Sequence, residues 1–338
     1  MTQADLRVSL AGMDKGTRRK DSRAGSSAPA KGGGVIPGAG GSDARAFSIR
    51  AAQPSALPVL IAVPHAGRSY PPGLLERMRN PAYSALRLED RLVDLVAGRV
   101  ASATGAALIV AHAPRAMIDL NRAEDDIDWE MVARGDASQP EVSRTSGSGR
   151  ARSGLGLIPR RLPGVGEVWK GRHERTEIAD RIAAIHRPYH AAIAEALADM
   201  RRRWGAALLL DLHSMPPLIM RGGLPPEFVV GDRFGATCSG QLTAAMFTAF
   251  AQNGRKAAHN RPYAGGFVLE RHAEPRSGIH AVQLEIARSS YLDSRLVESG
   301  PGFEPVVELL VGMVRKLAAD VADLGRGARA EDWPEAAE

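Results

Sequence analysis

A single cysteine, Cys238, stands among 338 residues, so no intramolecular disulfide and no C-x-x-C zinc knuckle can form, and the chain suits a reducing compartment. No run approaches the ~18 uninterrupted apolar residues of a membrane span, and the N-terminus lacks an apolar stretch before a small-residue cleavage site. The expectation is a cytoplasmic protein with no membrane partner. Aromatic residues are scarce at 5%, yet 44% hydrophobic and 24% charged residues are those of an ordinary globular chain. Two further absences exclude chemistry. "GLGLIPR" has two glycines but no G-x-G-x-x-G follows a strand, and Ser214 lacks the G-x-S-x-G turn of a nucleophile elbow.

Positive charge is in slight excess, with 44 Lys and Arg against 38 Asp and Glu, a net +6. Many of the cations are arginines spread through helical stretches, and others fall in "KGTRRKDSR", so the excess reads as solvated surface and no nucleic-acid partner is expected. A basic balance also suits a small acidic substrate.

Residues 1–45 are rich in Gly, Ser, Ala, Lys and Arg and are expected to be a disordered tail. From "LPVLIAVPHAG" onward, short apolar runs alternate with amphipathic stretches, the pattern of an α/β layer architecture. Strands are expected at 58–63, "AALIVAH", 206–212, "EFVVGD" and 279–287. Helices are expected across "LRLEDRLVDLVAGRVASA", over 174–203 with an interruption at Pro188, over 239–253 and from about 304 to 323. The polar segment 123–155 reads as an active-site loop or partly disordered excursion. One domain over 46–325 and a flexible tail over 326–338 complete the division.

Three of these strands end in or carry a histidine or an acid, and functional groups gather at strand ends in open α/β sheets. His65 follows Pro64 on a tight turn. In "AALLLDLHSMPP", alternation puts Asp211 and His213 on one face and Leu210 and Leu212 on the other. A buried carboxylate beside an imidazole is expensive unless paired or bound to metal. A hydrolytic zinc site needs three protein ligands and an open position. Two histidines supply two of them, and a carboxylate from "EDRLVD" is the candidate third, with Asp90 and Asp94 one turn apart and Glu89 adjacent; an acid-rich first helical turn would look the same.

Glu285 shares a strand face with Gln283, either paired with an arginine such as Arg288 or serving as a proton shuttle. "RAMIDLNR" offers Arg115, Asp119, Asn121 and Arg122, and arginine matches carboxylates with its planar fork. "HRPYH" lacks the glutamate of H-E-x-x-H and carries Pro188, so no metal role is expected of His186 and His190. Gly265 and Gly266 would let backbone approach a ligand closely. Cys238 has no motif context.

Together "VPHAG", "EDRLVD", "DLNR", "GLGLIPR", "RPYH", "LLLDLHSMPP", "GDRFG", "NRPYAGGF" and "GIHAVQLEIARSSYLD" resemble the N-formylglutamate amidohydrolase family, in the same order over about residues 55–295. The resemblance implies a three-layer α/β/α, phosphorylase/hydrolase-like fold with a central mixed sheet, related to the carboxypeptidase and aspartoacylase architecture. It implies zinc-dependent hydrolysis of N-formyl-L-glutamate to L-glutamate and formate, a step of histidine degradation. Carried onto this chain, His65, His213 and Asp90 match the Zn²⁺ ligands, with Glu89 a close alternative. Glu285 matches the general base and acid, and Asn121 and Arg122 the pair holding a substrate carboxylate. Arg115 is the candidate oxyanion partner, Arg271 a further substrate contact, and Asp211 the group orienting His213. The expected partner is a small acidic N-acyl amino acid, and the expected state a monomer or small homo-oligomer. A deacylase for another N-acyl amino acid and a non-catalytic binder of an acidic ligand are the alternatives.

Overall fold

Among the described residues eight strands pair into one mixed sheet, its centre built from runs rich in Val, Ile, Leu and Ala. The computed structural model describes residues 31–133, 149–220 and 223–331. In chain order the strands are β1 (Lys31–Val35), β2 (Arg45–Arg50), β3 (Val59–Val63), β4 (Ala107–Ala111), β7 (Ala207–Met215), β8 (Phe228–Gly231), β9 (Ala257–His259) and β10 (Ile279–Ala287). A separate hairpin joins β5 (Arg161–Leu162) to β6 (Gly166–Glu167). The order across the sheet is β1-β2-β4-β3-β7-β10-β8-β9. Its centre, β4-β3-β7-β10, is parallel, while β2 and β8 run antiparallel to their central neighbours.

Both faces of the central strands are covered, which is why they read as continuous apolar runs. Leu60, Ala62, Ile109 and Leu209 share a core with Ile178 from α4 (Arg175–Arg181) and Tyr189, Ile193 and Leu197 from α5 (Arg187–Trp204). Alternate residues Leu208, Leu210, Leu212, Val282 and Leu284 face the other layer, made of α3 (Val93–Thr104), α6 (Gly240–Gln252) and α8 (Phe303–Glu331). The expected three-layer α/β/α arrangement with a mixed sheet is the one observed. No helix among the described residues is long and apolar enough to cross a membrane.

Three expectations need correction. The glycine-rich segment before residue 46 is no uniform tail, because Lys31–Val35 pairs with β2 and Ile36 is fully buried. The Phe47 ring lies where a Cβ on Gly33 would sit, so the glycines there permit close packing and composition alone misread them as linker. At the other end α8 continues to Glu331, beyond the expected boundary at 325, and residues 332–338 lie outside the described residues, as do 1–30. Within 123–155, residues 134–148 also lie outside them, and the flanks hold a 3₁₀ turn at Trp129–Met131 and one helical turn at Gly149–Arg152.

The helix expected across residues 86–103 is broken. α2 (Pro81–Leu88) ends at Glu89 in extended conformation, Leu92 adopts a left-handed φ of 57°, and α3 then begins. Apolar spacing carried across the gap, but tertiary bonding of Asp90 overrides helix propensity there: its N–H donates to His65 O at 2.9 Å. The interruption expected at Pro188 lies just ahead of it, and Pro188 itself stands in the first turn of α5. A π turn, Ile182–His186, joins α4 to α5, and it absorbs the missing proline N–H.

Several histidines are buried with little acidic compensation: of His173, His190 and His272, only His173 has a carboxylate near it, Glu177 at 3.7 Å. Burial, with neighbouring positive groups, pushes His190 down to about 2, and His173 and His272 down to about 3. Folded-state values below the unfolded ~6.5 mean that the unfolded chain takes up protons first, so stability is complete above that pH and falls as pH drops. Each such group removes about 1.4 kcal/mol per pH unit, or about 4 kcal/mol per unit for the three. Against a total of about 5–15 kcal/mol, acid unfolding followed by circular dichroism should have its midpoint between about pH 3 and 5. A fold intact at about pH 2 would contradict this.

Candidate metal centre

β3 and β7 are parallel neighbours, so the end of one and the last third of the other deliver two imidazoles to the same edge of the sheet. His65 lies two residues past β3 and His213 within β7, their ring centroids 4.8 Å apart. Asp90 reaches them from the break between α2 and α3. Its Oδ2 is 2.9 Å from His213 Nδ1 and 3.6 Å from His65 Nδ1. All three side chains are buried, and one ligand atom from each lies within 4.8 Å of the others.

The far ring nitrogens are held by further carboxylates. His65 Nε2 is 2.6 Å from Asp119 Oδ1, and His213 Nε2 is 2.9 Å from Asp211 Oδ2. A carboxylate only accepts, so each Nε2 donates, and the Nδ1 of each ring is the atom turned toward Asp90, with His213 Nδ1 donating to its Oδ2. A cation displacing that proton would meet two Nδ1 lone pairs and one carboxylate, with both Nε2 protons still held by Asp119 and Asp211, and this is the observation by which the donor set fits a divalent ion. Replacing Asp211 with Asn should weaken metal affinity about 10–100-fold, read by competition with a chelating dye. Unchanged affinity would remove Asp211 from this role.

Charge points the same way. Asp90, Asp119, Asp211 and Glu285 surround the two imidazoles, against the guanidiniums of Arg115 and Arg122. Burial pushes the Asp90 carboxyl up, but His213 and His65 reverse that and hold it well below the usual carboxylate range. Burial lowers His213, yet Asp211 and Asp90 outweigh it and raise the imidazole well above its ordinary value. A pocket that draws positive charge onto a buried imidazole is a pocket that favours a cation.

Glu285 sits directly across the β7–β10 ladder from His213. Burial raises its carboxyl, His213 opposes, Asp90 adds to the rise, and the result is about 7. Gln283 Nε2 donates to Glu285 Oε1 at 2.9 Å, which fixes the carboxylate. Arg288 is not its partner, because that guanidinium donates to Ser214 Oγ at 3.2 Å, Leu86 O at 3.0 Å and Glu89 O, bracing the turn that carries Asp90. Glu89 points away from the triad toward Arg91, and Asp94 pairs with Arg68 at 2.7 Å. Of the acids in "EDRLVD", Asp90 is the one among the histidines.

Arg115 donates through Nε to Asp119 Oδ2 at 2.9 Å, and the charges of Asp119, Asp90 and Glu285 all raise its basicity against burial. Asn121 is fixed within the protein. Its Oδ1 accepts from Val268 N at 2.9 Å, its Nδ2 donates to Gln283 Oε1 at 3.3 Å, and it lies 3.4 Å from His213 Nε2. Arg122 donates to Leu155 O and to Asn121 O, with Asp119 4.0 Å from its Nε. Arg271 lies further out, exposed on α7 (Phe267–His272), its guanidinium 5.8 Å from the Phe267 ring centroid. The close approaches expected of Gly265 and Gly266 are made to protein side chains: Gly265 lies against Leu269, a Cβ on Gly266 would collide with the Asn121 amide, and Gly266 N donates to Gln283 Oε1 at 3.1 Å.

Sequence reasoning missed two supporting residues. Asp119 appeared only as one polar residue of "RAMIDLNR", although its place four residues after Arg115 is what lets the two pair (Arg115 Nη2 to Asp119 Oδ2, 2.9 Å). Gln283 shared a strand face with Glu285, which was the available signal for their bond.

Parallel strand ends presenting two carboxylate-oriented histidines, a third acid from a helix break and a buried fourth acid define an α/β hydrolase with a metal-capable centre. Comparison with known proteins narrows the class. The family model for N-formylglutamate amidohydrolase matches residues 57–292, and the chain belongs to that family. It is 31% identical over 250 residues to the N-formylglutamate deformylase of Pseudomonas aeruginosa, covering 71% of this chain and 84% of that protein. The deformylase of Pseudomonas putida is 32% identical over 248 residues, covering 70% and 82%. The crystal structure of N-formylglutamate amidohydrolase from Ralstonia eutropha superposes with a TM-score of 0.72 at 30% identity, over 83% of this chain and 99% of that one.

Proposed function

We propose that the protein hydrolyses the amide bond of N-formyl-L-glutamate, using Zn²⁺ held by His65, Asp90 and His213. The observation that carries this reading is the convergence of both Nδ1 atoms on Asp90 Oδ2 beside the buried Glu285. Relatives bearing the deformylase name supply the substrate, and a mixed imidazole and carboxylate donor set suits zinc.

A zinc ion held by these ligands would supply Lewis acidity at the reacting carbonyl. The chain's own groups do the rest. Glu285 takes a proton from the attacking water as its oxygen bonds to the formyl carbon, and the proton then passes to the departing amine nitrogen as the C–N bond breaks. Formate and L-glutamate result, with one water consumed. Arg115, beside both Glu285 and Asp90, faces the charge that develops on the formyl oxygen. Asp119 and Asp211 keep the imidazoles from rotating. Arg122 binds a substrate carboxylate, while Asn121 holds Gln283 and, through it, Glu285.

The test is release of the free amino acid from a panel of N-formyl-L-glutamate, N-formyl-L-glutamine and N-acetyl-L-glutamate. The first is expected to give the highest kcat/KM. A preference for the acetyl compound would replace this reading with a deacylase for another N-acyl amino acid, and no turnover of any would sink the hydrolase assignment.

A further inference from the structure

Three buried histidines, His186, His190 and His272, take no part in the chemistry above, yet each is tied to the segment that carries Asn121 and Arg122. His186 ends the π turn and is fully buried. Its Nε2 is 2.8 Å from Arg122 O, and since a carbonyl only accepts, the imidazole donates. One helical turn on, the His190 ring stands 4.4 Å from His186, and its Nδ1 is 2.9 Å from His272 Nε2 at the end of α7. The start of that short helix gives Val268 N to Asn121 Oδ1, and the residue before it gives Gly266 N to Gln283 Oε1. Gln283 in turn holds Glu285.

We infer that these histidines form a two-armed clamp positioning the active site: His186 fixes the Arg122 backbone for substrate binding, and the His190–His272 pair fixes Asn121, Gln283 and Glu285 through α7. The inference rests on the proposed hydrolysis for its kinetic readout. Several observations support a positioning role over simple core filling. A valine or leucine would fill the same space without placing polar ring atoms in the core. The π turn is an irregularity of the kind that re-aims a side chain, and here the side chain at its end meets the substrate segment. The two arms contact different parts of the site, so their loss should separate binding from turnover.

Two variants read the arms. His186→Phe keeps the ring and removes the donor, and is expected to raise KM for N-formyl-L-glutamate roughly five- to tenfold, the scale of one hydrogen bond, with kcat within about threefold. His190→Phe breaks the link to His272 and is expected to lower kcat by a similar factor with KM nearly unchanged. His186→Gln, whose amide reaches where Nε2 stood, should restore KM. If the Phe variant does not fold, His186→Asn, too short for that carbonyl, takes its place. Amide exchange over residues 119–124, measured with no substrate present, should quicken in His186→Phe and recover in His186→Gln. Unchanged exchange, an unchanged KM, or equal losses in KM and kcat from both arms would overturn the clamp. A wild-type protein inactive on N-formyl-L-glutamate, with the exchange difference present, would sink the substrate reading alone and uphold the clamp.

Discussion

Glu285→Gln lowers kcat by about 10²–10⁴-fold, the usual scale of a lost general acid–base, and leaves metal content and the folded state intact. The amide is the same size, can still accept from Gln283 Nε2, and removes only the proton-accepting oxygen. Its effect is therefore confined to proton transfer. Loss of kcat with KM and metal stoichiometry near wild type is the pattern expected in steady-state assays and metal analysis. Turnover within about tenfold of wild type would take the role from Glu285 and pass it to another group.

His213→Ala is expected to reduce activity to background, with bound metal lost. The consequences reach beyond the missing ligand. Asp90 Oδ2 and Asp211 Oδ2 both face this imidazole at 2.9 Å, so its removal takes the ionic partner from buried Asp211 and leaves Asp90 only His65 and Arg288 at longer range. Breaking such a buried pair typically costs about 3–5 kcal/mol. Thermal unfolding should show a clear loss of stability in the metal-free variant relative to metal-free wild type. A variant that bound metal with wild-type affinity would show that the triad is not the binding site.

The sheet was legible in the sequence wherever apolar runs had both faces covered, as in β3, β7 and β10. Strand alternation alone put Asp211 with His213 and Gln283 with Glu285 on shared faces, and the structure keeps both pairs together. Asp90 was legible as a candidate by its company, but its delivery was not. Its position depends on a break in a helix whose apolar spacing looked unbroken, enforced by His65 O and by Arg288 from far along the chain. Local pattern carries no trace of such long-range bonds.

The remaining misreadings share a physical cause. "KGGGV" looked like linker because glycine-rich composition is what a flexible tail and a strand packed under an aromatic ring have in common. Gly266 looked like a ligand contact for a related reason: a bare backbone says that something comes close, and only the fold says it is Asn121. "HRPYH" was set aside as a metal motif, and spacing alone carried no sign that its histidines are buried with ring nitrogens facing Arg122 and α7.

The most direct measurement is a titration of zinc into metal-stripped protein while formate release from N-formyl-L-glutamate is followed. A metal centre at His65, Asp90 and His213 predicts negligible activity without metal and a rise to a plateau at one equivalent per chain. Full activity in the stripped protein, or the same zinc-dependent rise in His213→Ala, would contradict it.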